Sequence, residues 1–221
     1  MFAGHYSVGF AIKSDDNKIP LWVLFVAVQF VDILWGTFVL LGIEKLRIVP
    51  GITASNALDL YYMPYTHSLI GALCWSALAF GLYRILSGTG APRKGAFFVA
   101  LAVFSHWILD FIVHRPDLPL YDDTLKAGLG LWNFKYLAFA LEAVILIGGM
   151  LLYLKRNTGI SQARKYAIFI FGVIMILIQA MGTFIGRPLG SEHIVAATNL
   201  TLYTVFAGVA FFVERKRGNA A

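Results

Sequence analysis

A chain of 221 residues in which 59% are hydrophobic and only 14% are charged is too apolar for a soluble domain, and it reads as one integral membrane domain over residues 1–221. Its net charge of +6 does not point to nucleic acid, because the basic residues fall in short segments between apolar runs. Cys74 is the single cysteine, which excludes an intrachain disulfide or a thiolate cluster and leaves histidine and carboxylate as metal ligands.

Residues 1–12 carry no Asp, Glu, Lys or Arg, and they lack the basic start and small-residue cleavage pattern of a signal peptide. As a helix they would reach only about 18 Å at about 1.5 Å per residue, which predicts an N-terminal half-helix dipping into the membrane. A polar turn at 14–18 and Pro20 precede the first of six apolar stretches, at 20–43, 67–86, 95–114, 131–154, 165–185 and 193–213. Each can cross a hydrocarbon core about 30 Å thick. The predicted fold is an all-α membrane protein with six transmembrane helices plus the half-helix.

Residues 44–65 make the longest connection and are expected at the interface, where Tyr61 and Tyr62 suit the headgroup level. Residues 87–92 form a Gly- and Pro-rich turn. Residues 115–130 carry Asp117, Asp122 and Asp123 directly after the third stretch, 155–165 are basic, 187–192 make a short turn and 214–221 a basic tail. Six spans put both termini on one side. Twelve of the 18 Lys and Arg residues fall on that side, which predicts cytoplasmic termini.

The third stretch places His106, Asp110 and His114 at four-residue steps, on one face of a helix. An ionisable side chain within a span costs at least roughly 2.5 to 3.5 kcal/mol, so three on one stripe require a partner. Imidazole and carboxylate at this spacing are a ligand set for zinc or another divalent metal. Asp32 in the first stretch, His67 opening the second and Glu142 in the fourth fall at compatible depths, so all six predict one site toward the non-cytoplasmic face. His5 joins it only if the half-helix is re-entrant. Blander readings stand beside these: His67 as an interfacial cap, Asp32 and Glu142 as neutral carboxyls bonded to neighbouring helices, His193 as a cap or pocket rim, and the triplet as a hydrogen-bonded structural stripe.

The segments Gly4-His5-Tyr6-Ser7-Val8-Gly9, Asp32, Thr66-His67-Ser68-Leu69 and Ser105-His106-Trp107-Ile108-Leu109-Asp110 together resemble the bacterial inner-membrane family of membrane-bound metal-dependent hydrolases. The likeness covers roughly the N-terminal half. A looser one links the chain to the soluble, helical zinc-dependent phospholipase C and single-strand nuclease group. That second likeness implies up to three zinc ions held by His5, Asp32, His67, His106 and Asp110, with Asp110 bridging two and with His114 and Glu142 serving another. The N-terminal Trp of that group is absent, and Ala138 stands where a His would precede Glu142, so one or two ions are expected.

The resemblance and the site's location imply hydrolysis of a phosphoester in a lipid or lipid-linked substrate, in the bacterial inner membrane. Asp117 or Asp32 is the candidate general base, and Arg115 or Arg187 the candidate for neutralising charge on phosphate. The alternative is a divalent metal or proton transporter or sensor using the same cluster. A third reading is an assembly protein that binds metal without turnover. Gly148-Gly149 permits close helix packing but does not define an oligomeric state.

Overall fold

A computed structural model of the protein describes residues 1–16, 18–88, 93–186 and 190–214. Arg187, most of the Gly- and Pro-rich turn (89–92) and the basic tail (215–221) lie outside the described residues.

The chain starts inside the bundle. A short 3-10 turn, Ala3–His5, leads into α1, Tyr6–Asp15. Ala3, His5, Tyr6 and Phe10 are buried, as the predicted half-helix requires. This helix ends where Lys13 Nζ meets Glu214 Oε1 at 2.5 Å and donates to the Ile19 carbonyl at 2.6 Å. Lys13–Asp15, and not Met1, therefore share a face of the bundle with the end of the last helix.

The expected first span is broken. Helices α2, Leu21–Val28, and α3, Phe30–Leu40, meet at Gln29 with a bend of 54°. Then α4 (Leu69–Leu86), α5 (Arg93–Val113), α6 (Lys135–Arg156), α7 (Gln162–Ala180) and α8 (Glu192–Glu214) run up and down the bundle. A π-helical turn, Met181–Ile185, extends α7. Among the described residues, five helices are long and apolar enough to cross a membrane, or six if the bent pair is one span, the architecture of an integral membrane protein. The fourth begins later than expected, since Leu131–Asn133 is a separate 3-10 turn. Leu73, Phe97, Leu137, Phe169 and Phe212 remain exposed on the outer surfaces, where lipid contact costs them nothing.

The fold is mostly helical, as expected, with one departure: part of the 44–65 connection pairs into an antiparallel hairpin. Strands β1, Lys45–Ile48, and β2, Leu58–Tyr62, align Arg47 with Asp59 and Ile48 with Leu58. Arg47 Nη2 binds Asp59 Oδ2 across the strands at 2.6 Å. Leu46 and Leu60 point inward onto Trp35, Val39, Met63 and Leu118, a small core that seats the hairpin over one end of the bundle. The larger core fills the rest with Tyr6, Phe10, Phe25, Phe171 and Phe206, including edge-to-face pairs of Phe10 on Phe25 and Phe171 on Phe206.

Candidate metal centre

Four segments of chain converge beneath the hairpin. Helix α5 presents His106 and Asp110, with His114 one residue past its end, from one face, all buried, as the four-residue spacing predicts. The bent pair supplies Asp32 from the first turn of α3. His67 precedes α4, whose N-cap Ser68 accepts from Gly71 N at 2.9 Å and so fixes the turn that carries the imidazole. The N-terminal 3-10 turn delivers His5, whose ring stacks on His106 at 3.8 Å and 7°.

The reactive atoms face one another. His106 Nε2 lies 3.1 Å from Asp110 Oδ2 and 3.5 Å from Asp32 Oδ1. His67 Nε2 is 3.3 Å from Asp32 Oδ1 and 3.7 Å from Asp110 Oδ2. His5 Nε2 stands 3.2 Å from Asp110 Oδ1, and His114 Nε2 3.7 Å from Asp110 Oδ2. The Met1 amino group also lies against Asp110 Oδ1. Two sets, His5 with His106 and Asp110, and Asp32 with His67 and His106, each bring ligand atoms within 4.8 Å of one another. These buried His/Asp triads can hold a metal ion, with His106 common to both.

The groups behind the rings decide which nitrogen is bare. His106 Nδ1 is 2.7 Å from the Val28 carbonyl, which only accepts, so that nitrogen carries the proton. His114 Nδ1 is 2.9 Å from Asp117 Oδ1 and is a donor for the same reason. The Thr66 hydroxyl donates to Glu44 Oε2 at 2.6 Å, which leaves its lone pair to accept from His67 Nδ1 at 2.8 Å. In the neutral rings all three Nε2 atoms are then lone pairs aimed at carboxylate oxygens. Lone pairs and carboxylates repel unless a proton or a metal ion sits between them, and the backing hydrogen bonds are those that orient histidine ligands. His106 Nε2 and both ring nitrogens of His5 are buried without a hydrogen-bond partner, so each ring has a nitrogen open to coordinate an ion.

The other expected site residues divide. Glu142 reaches the neighbourhood, but its Oε2 accepts from the Phe2 and Gly4 amides at 2.8 and 3.2 Å and its Oε1 from Gln179 Nε2 at 3.1 Å. It secures the N-terminal turn that carries His5, and it is in neither triad. Asp117 and Arg115 stand behind the cluster. Asp117 Oδ2 takes Arg115 Nε at 3.1 Å, and Arg115 Nη2 also pairs with Asp59, which joins the cluster to the hairpin. His193 lies at the exposed start of α8, 3.8 Å from Glu192. Arg187 is outside the described residues.

Several partners were not legible in the sequence. Tyr203 donates its hydroxyl to Asp32 Oδ2 at 2.7 Å, Trp107 Nε1 donates to the His67 carbonyl at 3.0 Å, and Trp132 packs 4.1 Å from the His114 ring. Glu44 supports the Thr66 hydroxyl and accepts from the Tyr65 and Thr66 amides, both at 2.9 Å. Burial holds its carboxyl above the usual range. Thr66 alone carried a signal, as part of the Thr-His-Ser segment.

A cavity of about 260 Å³ adjoins the cluster. Asp32, His67, Asp110 and His114 form its inner end, Ser55 and Asn56 of the hairpin lie on one side, and α6, α7 and α8 close the other. No lysine or arginine lines it among the described residues.

Fold and site together define an integral membrane protein with a buried His/Asp cluster able to hold a metal ion. No family model, no curated protein and no solved structure matches the chain.

Proposed function

We propose that this protein is a membrane-embedded, metal-dependent hydrolase of a phosphoester in a lipid or lipid-linked substrate, akin to the bacterial membrane-bound metal-dependent hydrolases its motifs resemble. The observation that carries the reading is the convergence of three oriented Nε2 atoms on the buried Asp110 and the half-buried Asp32 carboxylates at the wall of a cavity. Asp32, His67, His106, Asp110 and His5 are the proposed ligands, with His114 at the margin. One or two divalent ions bound there would supply a nucleophile near neutral pH and a Lewis acid for the phosphoryl group.

The chain's own residues divide the remaining work. Tyr203 holds Asp32, while Asp117, Thr66 and the Val28 carbonyl hold the three imidazoles. Arg115 is engaged by Asp59 and Asp117, so the charge of a phosphoester would be met by bound cation instead of by this guanidinium. Asp117 is tied to His114 and Arg115 and does not line the cavity, so it is proposed as an orienting group; of the two candidate bases Asp32 alone lines the cavity.

One feature favours hydrolysis over transport. Between the cluster and the Lys13–Glu214 end, the bundle is packed with Tyr6, Phe10, Phe25, Phe171 and Phe206, and a conduction path needs polar groups toward both faces. Elemental analysis of detergent-purified protein should find zinc or another divalent metal, with phosphatase or phospholipase turnover by the same sample. His106→Ala and Asp110→Ala should lose both. Wild-type metal content in those variants overturns the ligand assignment, and metal flux in proteoliposomes without turnover overturns the hydrolase.

A further inference from the structure

The cavity has two chemically different sides. One side is the carboxylate and imidazole cluster, with the polar Ser55 and Asn56 nearby; the α7 and α8 side is walled by Ile178, Gly182 and Leu202, with the neutral Gln179, Thr183 and Asn199 among them. These two helices barely meet, whereas α4 and α5 pack along their length. The α7 wall there is the π turn, a local widening often found at functional positions. Met181 and Ile185 of this turn are exposed on the outside of the bundle.

Gly182 belongs to both surfaces. It lines the cavity and is exposed, next to the outward Met181, which makes it the candidate mouth of the cavity toward the membrane. A Cβ built on Gly182 meets nothing within 4 Å. The missing side chain is therefore not demanded by packing, and its absence keeps a passage open.

We propose that the gap between the π turn of α7 and α8 is a lateral gate. The hydrocarbon tail of a membrane phospholipid lies in it with its phosphoester head toward the His/Asp cluster, and Gly182 is the sill. A lipid is the occupant the walls favour, because the α7 and α8 wall is mostly apolar, lies among lipid-facing side chains and, among the described residues, carries no lysine or arginine for a soluble anion. The identity of the head rests on the hydrolase reading, but the path of the tail can be tested without turnover.

The test uses the full chain in vesicles of phosphatidylethanolamine and phosphatidylglycerol, doped with a phosphatidylglycerol carrying a diazirine midway along one acyl chain. Photolysis should mark residues 178–185 and 199–203 above the general lipid-facing background. Gly182→Trp, and independently Leu202→Trp from the facing helix, should abolish that excess while the bound metal that reports folding is retained. Labelling equal to that of the exposed α4 surface, or excess labelling that survives both tryptophans, overturns the gate. Gate-specific, tryptophan-sensitive labelling without phosphoester cleavage by the wild type keeps the gate and discards the hydrolase.

Discussion

At the scale of single residues, the site is a matter of which atom carries a proton. An acceptor behind each of His67, His106 and His114 assigns hydrogen to Nδ1, which turns three Nε2 lone pairs toward Asp32 and Asp110. Asp117→Asn tests the arrangement outside the ligand shell. It retains an oxygen for His114 but removes the charge that strengthens that bond and pairs with Arg115. Zinc affinity, measured by chelator competition, should fall about 10- to 100-fold, the usual effect of losing a group behind a metal ligand. Unchanged affinity would make Asp117 an anchor of its loop alone. The sequence displayed the histidines and carboxylates because charge stands out in apolar text. It could not display Val28, whose contribution is a main-chain carbonyl, or Tyr203, which reads as an ordinary apolar-face residue until α8 is docked beside Asp32.

At the scale of elements, helix lengths followed from hydropathy, and a short buried N-terminal helix followed from a run too short to cross. The 54° bend at Gln29 did not, because residues 27–31 contain neither proline nor glycine. The neighbouring Val28 carbonyl is bound by the His106 imidazole, a long-range contact of the kind that opens a helix ladder. The hairpin was hidden for another reason: its strands are four and five residues long, too short for alternation to outweigh a reading of Tyr61 and Tyr62 as interfacial aromatics. Adjacent glycines on α6 offer a controlled test of how the half-helix is held. A Cβ on Gly149 would collide with the Ser7 backbone of α1, whereas one on Gly148 meets nothing within 4 Å. Gly149→Val should therefore destabilise by about 1–3 kcal/mol through overpacking and weaken metal binding by displacing His5. Gly148→Ala should be neutral or stabilising by up to about 1 kcal/mol from helix propensity. Unfolding in mixed micelles, read together with metal content, compares the two, and equal effects would mean that α1 is not seated through Gly149.

At the scale of the whole molecule, the cluster is the point where the 3-10 turn, the bent α2–α3 pair, the segment before α4 and α5 all meet. A bound ion joining imidazoles and carboxylates from these segments should act as a structural tie as well as a reagent. A ligand that binds only the folded state adds RT ln(1 + [L]/Kd), about 2.7 kcal/mol when free metal is a hundredfold above Kd. For a chain of this length that corresponds to a rise of roughly 5–10 °C in the unfolding midpoint. Stripping the purified protein with chelator should therefore lower the midpoint, and adding back zinc should restore it in the wild type but not in His106→Ala, which lacks the ligand common to both triads. The broken helix gives the shift a place to act: an ion on Nε2 makes the His106 Nδ1–H a stronger donor to the Val28 carbonyl, so stripping should weaken that bond and protection of amides around 28–33 from hydrogen exchange should drop first. Identical midpoints and identical exchange in stripped and reloaded protein would mean that the four segments are joined by packing alone.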